Sequence, residues 1–144
     1  MKKNFFMLLS ILFLMTINQS FSQEYGKIFS KNEADKLFGV VYKSQNIKKD
    51  VLISALQNTS KVVMFKLENN FLTILGDERE VLFSSGSFTD KNQVFRLFSK
   101  SKVEELLRLG NDDNCFVEDR ERVLTVTNGD YTLEVSVPCP PTCN

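Results

Sequence analysis

The dipeptide Asn128-Gly129 lies between two runs of alternating residues within 121–137. Asn-Gly is the strongest short-range signal for a two-residue β-hairpin, because a type I′ turn needs positive φ at both central positions. A turn centred there places Val126 opposite Tyr131 and Leu124 opposite Leu133. One predicted face is apolar: Leu124, Val126, Tyr131, Leu133 and Val135. The other is polar and expected to face water: Thr125, Thr127, Thr132 and Glu134. The rest of the chain must therefore cover the apolar face.

A second hairpin is predicted around Asn69-Asn70, which separates the alternating runs Val62–Glu68 and Phe71–Leu75. Asn tolerates positive φ, so a two-residue turn is compatible with this pair. In that register Phe65 faces Ile74, and the apolar sides of the two strands agree. Two more strands are predicted over 80–83 and 93–98.

Three short amphipathic segments predict helices. The first begins at a Ser30–Glu33 capping box, the second spans about 47–58, and the third begins at a Ser101–Glu104 capping box and ends at Gly110. The order of elements predicts an α+β fold, with one antiparallel sheet of about five to six strands and the three helices mainly on one face. We expect a single domain over 23–144 with a Pro/Cys-rich tail at 138–144.

Residues 1–22 are typical of a bacterial signal peptide. Lys2-Lys3 precedes the apolar run 5–17, and small residues at Ser20 and Ser22 predict cleavage before Gln23. The apolar run is shorter than the roughly 20 residues of a membrane-spanning helix. We therefore expect a periplasmic or secreted protein with no membrane span after cleavage, in a compartment where disulfides form.

The composition argues against most enzyme classes. The chain has 18 basic and 18 acidic residues and no histidine, so it lacks a polybasic nucleic-acid surface and the commonest general base and metal ligand. The sequence predicts no enzymatic activity, no cofactor and no bound metal. It favours a non-catalytic binding domain of the bacterial envelope, whose partner is another envelope or extracellular protein.

The cysteines allow more than one pairing. Cys139 and Cys143 enclose Pro-Pro-Thr in the tail, and a local disulfide between them is favoured. Extending the register of the final hairpin places Cys115 opposite Thr142, so a bond from Cys115 to either tail cysteine is the alternative. An alternative function also follows from the tail: a thiol-disulfide redox protein or sensor using Cys139 and Cys143.

One further set of residues suggests an interaction surface. Met64, Phe71 and Leu75 fall on the face of the predicted hairpin opposite Phe65. Either helices cover both sides of the sheet, or these three side chains form an exposed apolar patch for a partner.

Overall fold

The computed structural model describes residues 23–86, 90–121 and 123–140. The predicted signal peptide and Cys143 lie outside these ranges. The strands are β1 (Lys27–Ser30), β2 (Val41–Lys48), β3 (Val62–Glu68), β4 (Phe71–Leu75), β5 (Val81–Ser84), β6 (Phe95–Ser99), β7 (Asn114–Arg120), β8 (Leu124–Asn128), β9 (Tyr131–Glu134) and β10 (Val137–Cys139). The helices are α1 (Lys31–Phe38), α2 (Lys49–Leu56) and α3 (Lys100–Leu109).

The strands form two antiparallel sheets of five strands each. The first sheet has the order β1-β9-β8-β7-β2, and the second has the order β10-β6-β3-β4-β5. The α+β class is confirmed, but the expectation of one sheet with five to six strands is wrong. Four of the strands, β1, β2, β7 and β10, were not predicted. The sequence of β2 is mostly polar, β1 has only four residues, and β10 contains a proline, which is confined to sheet edges.

The final hairpin forms, with its turn one residue later than predicted. Asn128 pairs with Tyr131 and Val126 with Leu133, so Gly129-Asp130 is the turn. Asn128 stays in the strand because its buried side chain donates to the carbonyls of Asp112 and Asn114, both at 2.9 Å. The change moves each partner by two positions, so the two faces keep their predicted members except Val135. That residue follows β9 with a φ of 68° and is 50% exposed.

The hairpin around Asn69-Asn70 is confirmed in its register. Phe65 pairs with Ile74 and Leu67 with Leu72. Both turn residues have positive φ, 50° and 67°, as a type I′ turn requires.

The main core lies between the two sheets and includes residues of α2 and α3. Its fully or almost fully buried members are Ile47, Leu52, Leu56, Val63, Phe65, Leu72, Ile74, Phe98, Val103, Leu106, Leu107, Cys115, Val117, Leu124, Val126 and Leu133. A smaller core lies on the other face of the second sheet. It contains Tyr25, Val62, Met64, Leu75, Phe95, Leu97 and Cys139. Both faces of the second sheet are therefore covered.

The three helices occur near their predicted positions, but they do not share one face of a sheet. α1 begins with the predicted Ser30–Glu33 capping box and contacts β1 and β9, while α2 and α3 enter the main core. α3 begins after Ser99 instead of Ser101, so its predicted capping box does not form. Ser99 Oγ accepts a hydrogen bond from the Tyr25 backbone at 2.7 Å. Within the described ranges, no helix is both long and apolar enough to cross a bilayer.

Candidate interaction site

β2 is an unusually long edge strand. It pairs with β7 on one side and ends the strand order of the first sheet. It has eight residues, whereas the other edge strands, β1, β5 and β10, have four, four and three. Proteins usually keep edge strands short or cover them, because unpaired backbone N–H and C=O groups recruit other strands. Among the described residues, β2 therefore offers the longest backbone edge for pairing.

Three consecutive apolar side chains are exposed where β2 begins. Val40, Val41 and Tyr42 have 64%, 40% and 63% of their surface accessible, and we call them the strand-start cluster. Single exposed apolar residues are ordinary, but three in succession at one sheet edge leave apolar surface in water that a partner can cover. The register of β2 and β7 shifts between Val41 and Lys43. Such an irregularity redirects a side chain at a sheet edge. Tyr42 lies at this shift, between the two paired residues.

A buried guanidinium holds the chain that leads into this cluster. The Arg120 side chain is 1% exposed. Its Nη1 donates to Asp35 Oδ1 of α1 at 2.7 Å and to the Gly39 carbonyl at 3.1 Å. Its Nη2 donates to Glu118 Oε2 at 2.9 Å. Arg120 therefore connects β7, α1 and the backbone just before Val40.

The pKa of Arg120 is raised although its surroundings are buried. Desolvation by burial lowers this pKa, but the hydrogen bonds to Asp35 and Glu118, with the charges of the two carboxylates, outweigh it. The guanidinium therefore stays charged and keeps its full set of donors.

The polar face of the final hairpin surrounds this network instead of facing water. Thr125, Thr127, Thr132 and Glu134 are between 0% and 5% exposed. Thr125 and Thr127 both donate to Glu118 Oε2, at 3.2 and 2.9 Å. The expectation of a solvated face is wrong because the charges of β7 are buried on this side and the threonine hydroxyls satisfy their hydrogen bonds. The signal in the sequence was the spacing of Glu118 and Arg120, which places both side chains on one face of a strand.

The charge of β2 adds a preference for its partner. The strand contains Lys43 and Lys48 and no acidic residue. Asp119 of β7 lies opposite Lys43 in the register, and Lys48 lies opposite the neutral Asn114. The strand therefore carries two formal positive charges, at its third and its last residue, and it favours an acidic partner.

The predicted surface of Met64, Phe71 and Leu75 does not form as an exposed patch. Met64 and Leu75 are completely buried in the smaller core, and Phe71 alone is exposed, at 45%. The three residues do share one face, as predicted, but the polypeptide around Tyr25 and β10 covers most of it.

The pairing of Cys115 with the tail does not form. Cys115 is a free thiol, completely buried in the main core, and β10 lies in the other sheet from β7. Desolvation by burial is the main cause that raises the pKa of this thiol to about 11. The Cys139–Cys143 disulfide stays a prediction, because Cys143 lies outside the described ranges.

No protein-family model, curated protein or solved structure matches this chain. In the part of the chain that the structure describes, His, Cys, Asp and Glu residues form no group of three or more that could hold a metal ion.

Proposed function

We propose that this protein is an exported, non-catalytic binding domain of the bacterial envelope, and that it recruits an extended acidic segment of another exported protein to β2. The observation that carries the proposal is the eight-residue edge of β2 together with the exposed strand-start cluster. The hypothesis of an enzyme has no comparable support, because the chain has no histidine.

The recognition uses strand addition. An extended segment forms backbone hydrogen bonds with the outer edge of β2 and becomes a sixth strand of the first sheet. Its apolar side chains cover Val40, Val41 and Tyr42, which removes apolar surface from water. Because Arg120 fixes the Gly39 carbonyl, the edge is already ordered before the partner arrives, and less conformational entropy is lost on binding.

The charge selects an acidic segment over a second copy of this chain. A second β2 strand would bring two more lysines and no carboxylate to the new strand pair, and like charges across a strand pair are destabilising. A segment with two carboxylates at matching positions neutralises Lys43 and Lys48 instead.

The experiment is a titration of the mature protein, residues 23–144, with three synthetic octapeptides of alternating valine and threonine. One carries two glutamates, the second carries two lysines at the same positions, and the third is the glutamate peptide with alternate backbone amides methylated. We expect the glutamate peptide to bind at least tenfold more tightly than either of the others. Equal binding of all three peptides, no binding, or concentration-dependent dimers without peptide would overturn the proposal.

A further inference from the structure

An open cavity of about 320 Å³ lies between the two sheets, next to the main core. The second sheet contributes residues of or beside β3 and β6 to its lining, and the first sheet contributes residues of or beside β7 and β8. Phe65, Leu67 and Leu124 form part of its apolar lining. Ligand pockets in proteins have volumes of about 300–1,000 Å³, so this cavity has room for one small molecule.

Two residues of opposite charge line this cavity from opposite sheets. Alternate residues of a strand lie on the same face, so Asp119 shares a face of β7 with Cys115 and Val117. Arg96 shares a face of β6 with Phe98. Those three neighbours belong to the main core between the sheets. Arg96 and Asp119 therefore occupy inward-facing positions, one on each side of the cavity.

Both charges lack a partner among the residues that the structure describes. Arg96 and Asp119 are half-buried, and within the described ranges neither side chain makes a hydrogen bond or an ion pair. The two other basic residues of the lining are already paired. Lys66 lies 3.2 Å from Glu68, and Arg120 is held by the buried network described above. Charges that are partly removed from water are costly unless they are paired, so a ligand that pairs with both gains from doing so.

A purely structural role explains these charges poorly. Inward-pointing charges protect exposed sheet edges in many proteins, but β6 and β7 are interior strands of their sheets. Lys43 lies opposite Asp119 in the register without forming an ion pair with it in the described structure. Glu121, the other carboxylate of the lining, lies against Gly39, where a Cβ would be 2.6 Å from its Oε2. Asp119 is therefore the carboxylate that faces the second sheet.

We propose that this cavity binds a free α-amino acid with an apolar side chain. Arg96 donates two parallel hydrogen bonds to the ligand carboxylate, the geometry for which a guanidinium is suited. Asp119 accepts hydrogen bonds from the ligand ammonium, which has three donors and no acceptor. The ligand side chain packs on the apolar lining. A residue within a peptide chain has neither charged group, so the site selects the free zwitterion.

This site is separate from the one at β2 and does not rest on it. The extended peptide pairs with the outer backbone edge of β2, whereas the cavity opens between the two sheets. Binding of an amino acid therefore goes beyond the proposed function, and either site can be disproved without the other.

The first test is a calorimetric titration of the mature protein with three matched ligands. L-leucine carries both charges, N-acetyl-L-leucine lacks the ammonium, and L-leucinamide lacks the carboxylate. We expect saturable binding of leucine that is at least tenfold tighter than that of either analogue. No saturable binding of leucine, or equal affinity for leucine and one of the analogues, would overturn the proposal.

The second test assigns each charge of the ligand to its partner. Arg96→Gln should lower the affinity for leucine to that for leucinamide, because the carboxylate then has no cation to bind. Asp119→Asn should lower it to that for N-acetyl-leucine. Arg108→Gln and Asp130→Asn remove the same charges at exposed positions outside the cavity, and both should bind leucine within threefold of wild type. Wild-type affinity in Arg96→Gln or Asp119→Asn, or equal weakening in the two control variants, refutes the site. If a variant does not fold, the three ligands on the wild-type protein decide the question.

Discussion

Arg120 Nη1 donates a hydrogen bond to the Gly39 carbonyl at 3.1 Å, so a guanidinium buried on the first sheet fixes the backbone one residue before the exposed Val40. The two residues are far apart in sequence, and their contact holds the backbone two residues before β2 begins at Val41. The exposed strand-start cluster therefore rests on a rigid, charged anchor instead of a loose loop.

Replacing this anchor should destabilise the fold. Arg120→Met leaves Glu118 without its buried partner and removes the links to Asp35 and Gly39. Breaking a buried ion pair by removing one member costs about 3–5 kcal/mol, and because Asp35 is half exposed we expect about 2–4 kcal/mol. Urea unfolding measures the loss. Arg108→Met, on an exposed position of α3, should change the free energy of unfolding by less than about 0.5 kcal/mol. Equal effects of both substitutions would contradict the role of Arg120.

The contribution of Asp77 to stability should depend on pH. Partial burial favours its neutral form, but hydrogen bonds from the backbone N–H groups of Val62, Lys61 and Ser60, at 2.8, 2.9 and 2.7 Å, outweigh this and hold the pKa below its usual range. A carboxyl whose pKa is lower in the folded state stabilises the protein above its unfolded-state pKa. The stabilisation is lost as the pH falls through the folded-state pKa.

Asp77→Asn should therefore lower the free energy of unfolding by about 1–2 kcal/mol at pH 7, and the difference from wild type should shrink below about pH 4. Urea unfolding of both proteins from about pH 2 to about pH 8, a range that spans the carboxyl pKa, checks this. A difference that stays constant with pH would show that Asp77 acts through its shape and not its charge.

The Cys115 thiol should react only when the protein unfolds. With a pKa of about 11, its thiolate fraction at pH 8 is roughly two hundred times smaller than that of an ordinary cysteine, and the side chain is completely buried. Iodoacetamide labelling of non-reduced mature protein should be slow in buffer and fast in urea. Peptide mapping identifies the labelled residue. Rapid labelling of Cys115 in buffer would show that the main core opens far more often than its burial indicates.

Binding of an acidic extended peptide should depend on the strand-start cluster. Tyr42→Glu places a carboxylate at the edge that the peptide must approach, so we expect its affinity for the glutamate octapeptide to fall at least tenfold. Val94→Glu makes the same charge change at a residue that is 55% exposed outside β2, and it should bind like wild type. Calorimetric titration measures both. Equal weakening in the two variants would indicate a general charge effect instead of a site at β2.

The two hairpins show how far a local sequence pattern determines register. At Asn69-Asn70 both residues face solvent, no tertiary contact competes, and the predicted pairing forms. At Asn128 the side chain is drawn into the interior by the carbonyls of Asp112 and Asn114, so the turn moves to Gly129-Asp130. Close packing reinforces this arrangement. A Cβ at Gly110 would lie 1.9 Å from Asn128 Oδ1.

The candidate site was missed for a related reason. β2 has little apolar alternation, since nearly all of its residues are exposed. Its pairing with β7 connects residues far apart in sequence. The ion pair of Arg120 with Asp35 joins residues 85 positions apart, and no local pattern encodes such a contact. The sequence did allow for the smaller core. It left two alternatives for the face that contains Met64 and Leu75, an exposed patch or a sheet covered on both sides, and the second is the one observed.

The most direct test of binding at β2 is amide hydrogen exchange, residue by residue, in mature protein with and without the glutamate octapeptide. We predict slower exchange at amides within Val41–Lys48 that do not pair with β7, and little change in β1, β5 and β10. Protection confined to another edge strand, or bound peptide with no change in β2, would contradict the account.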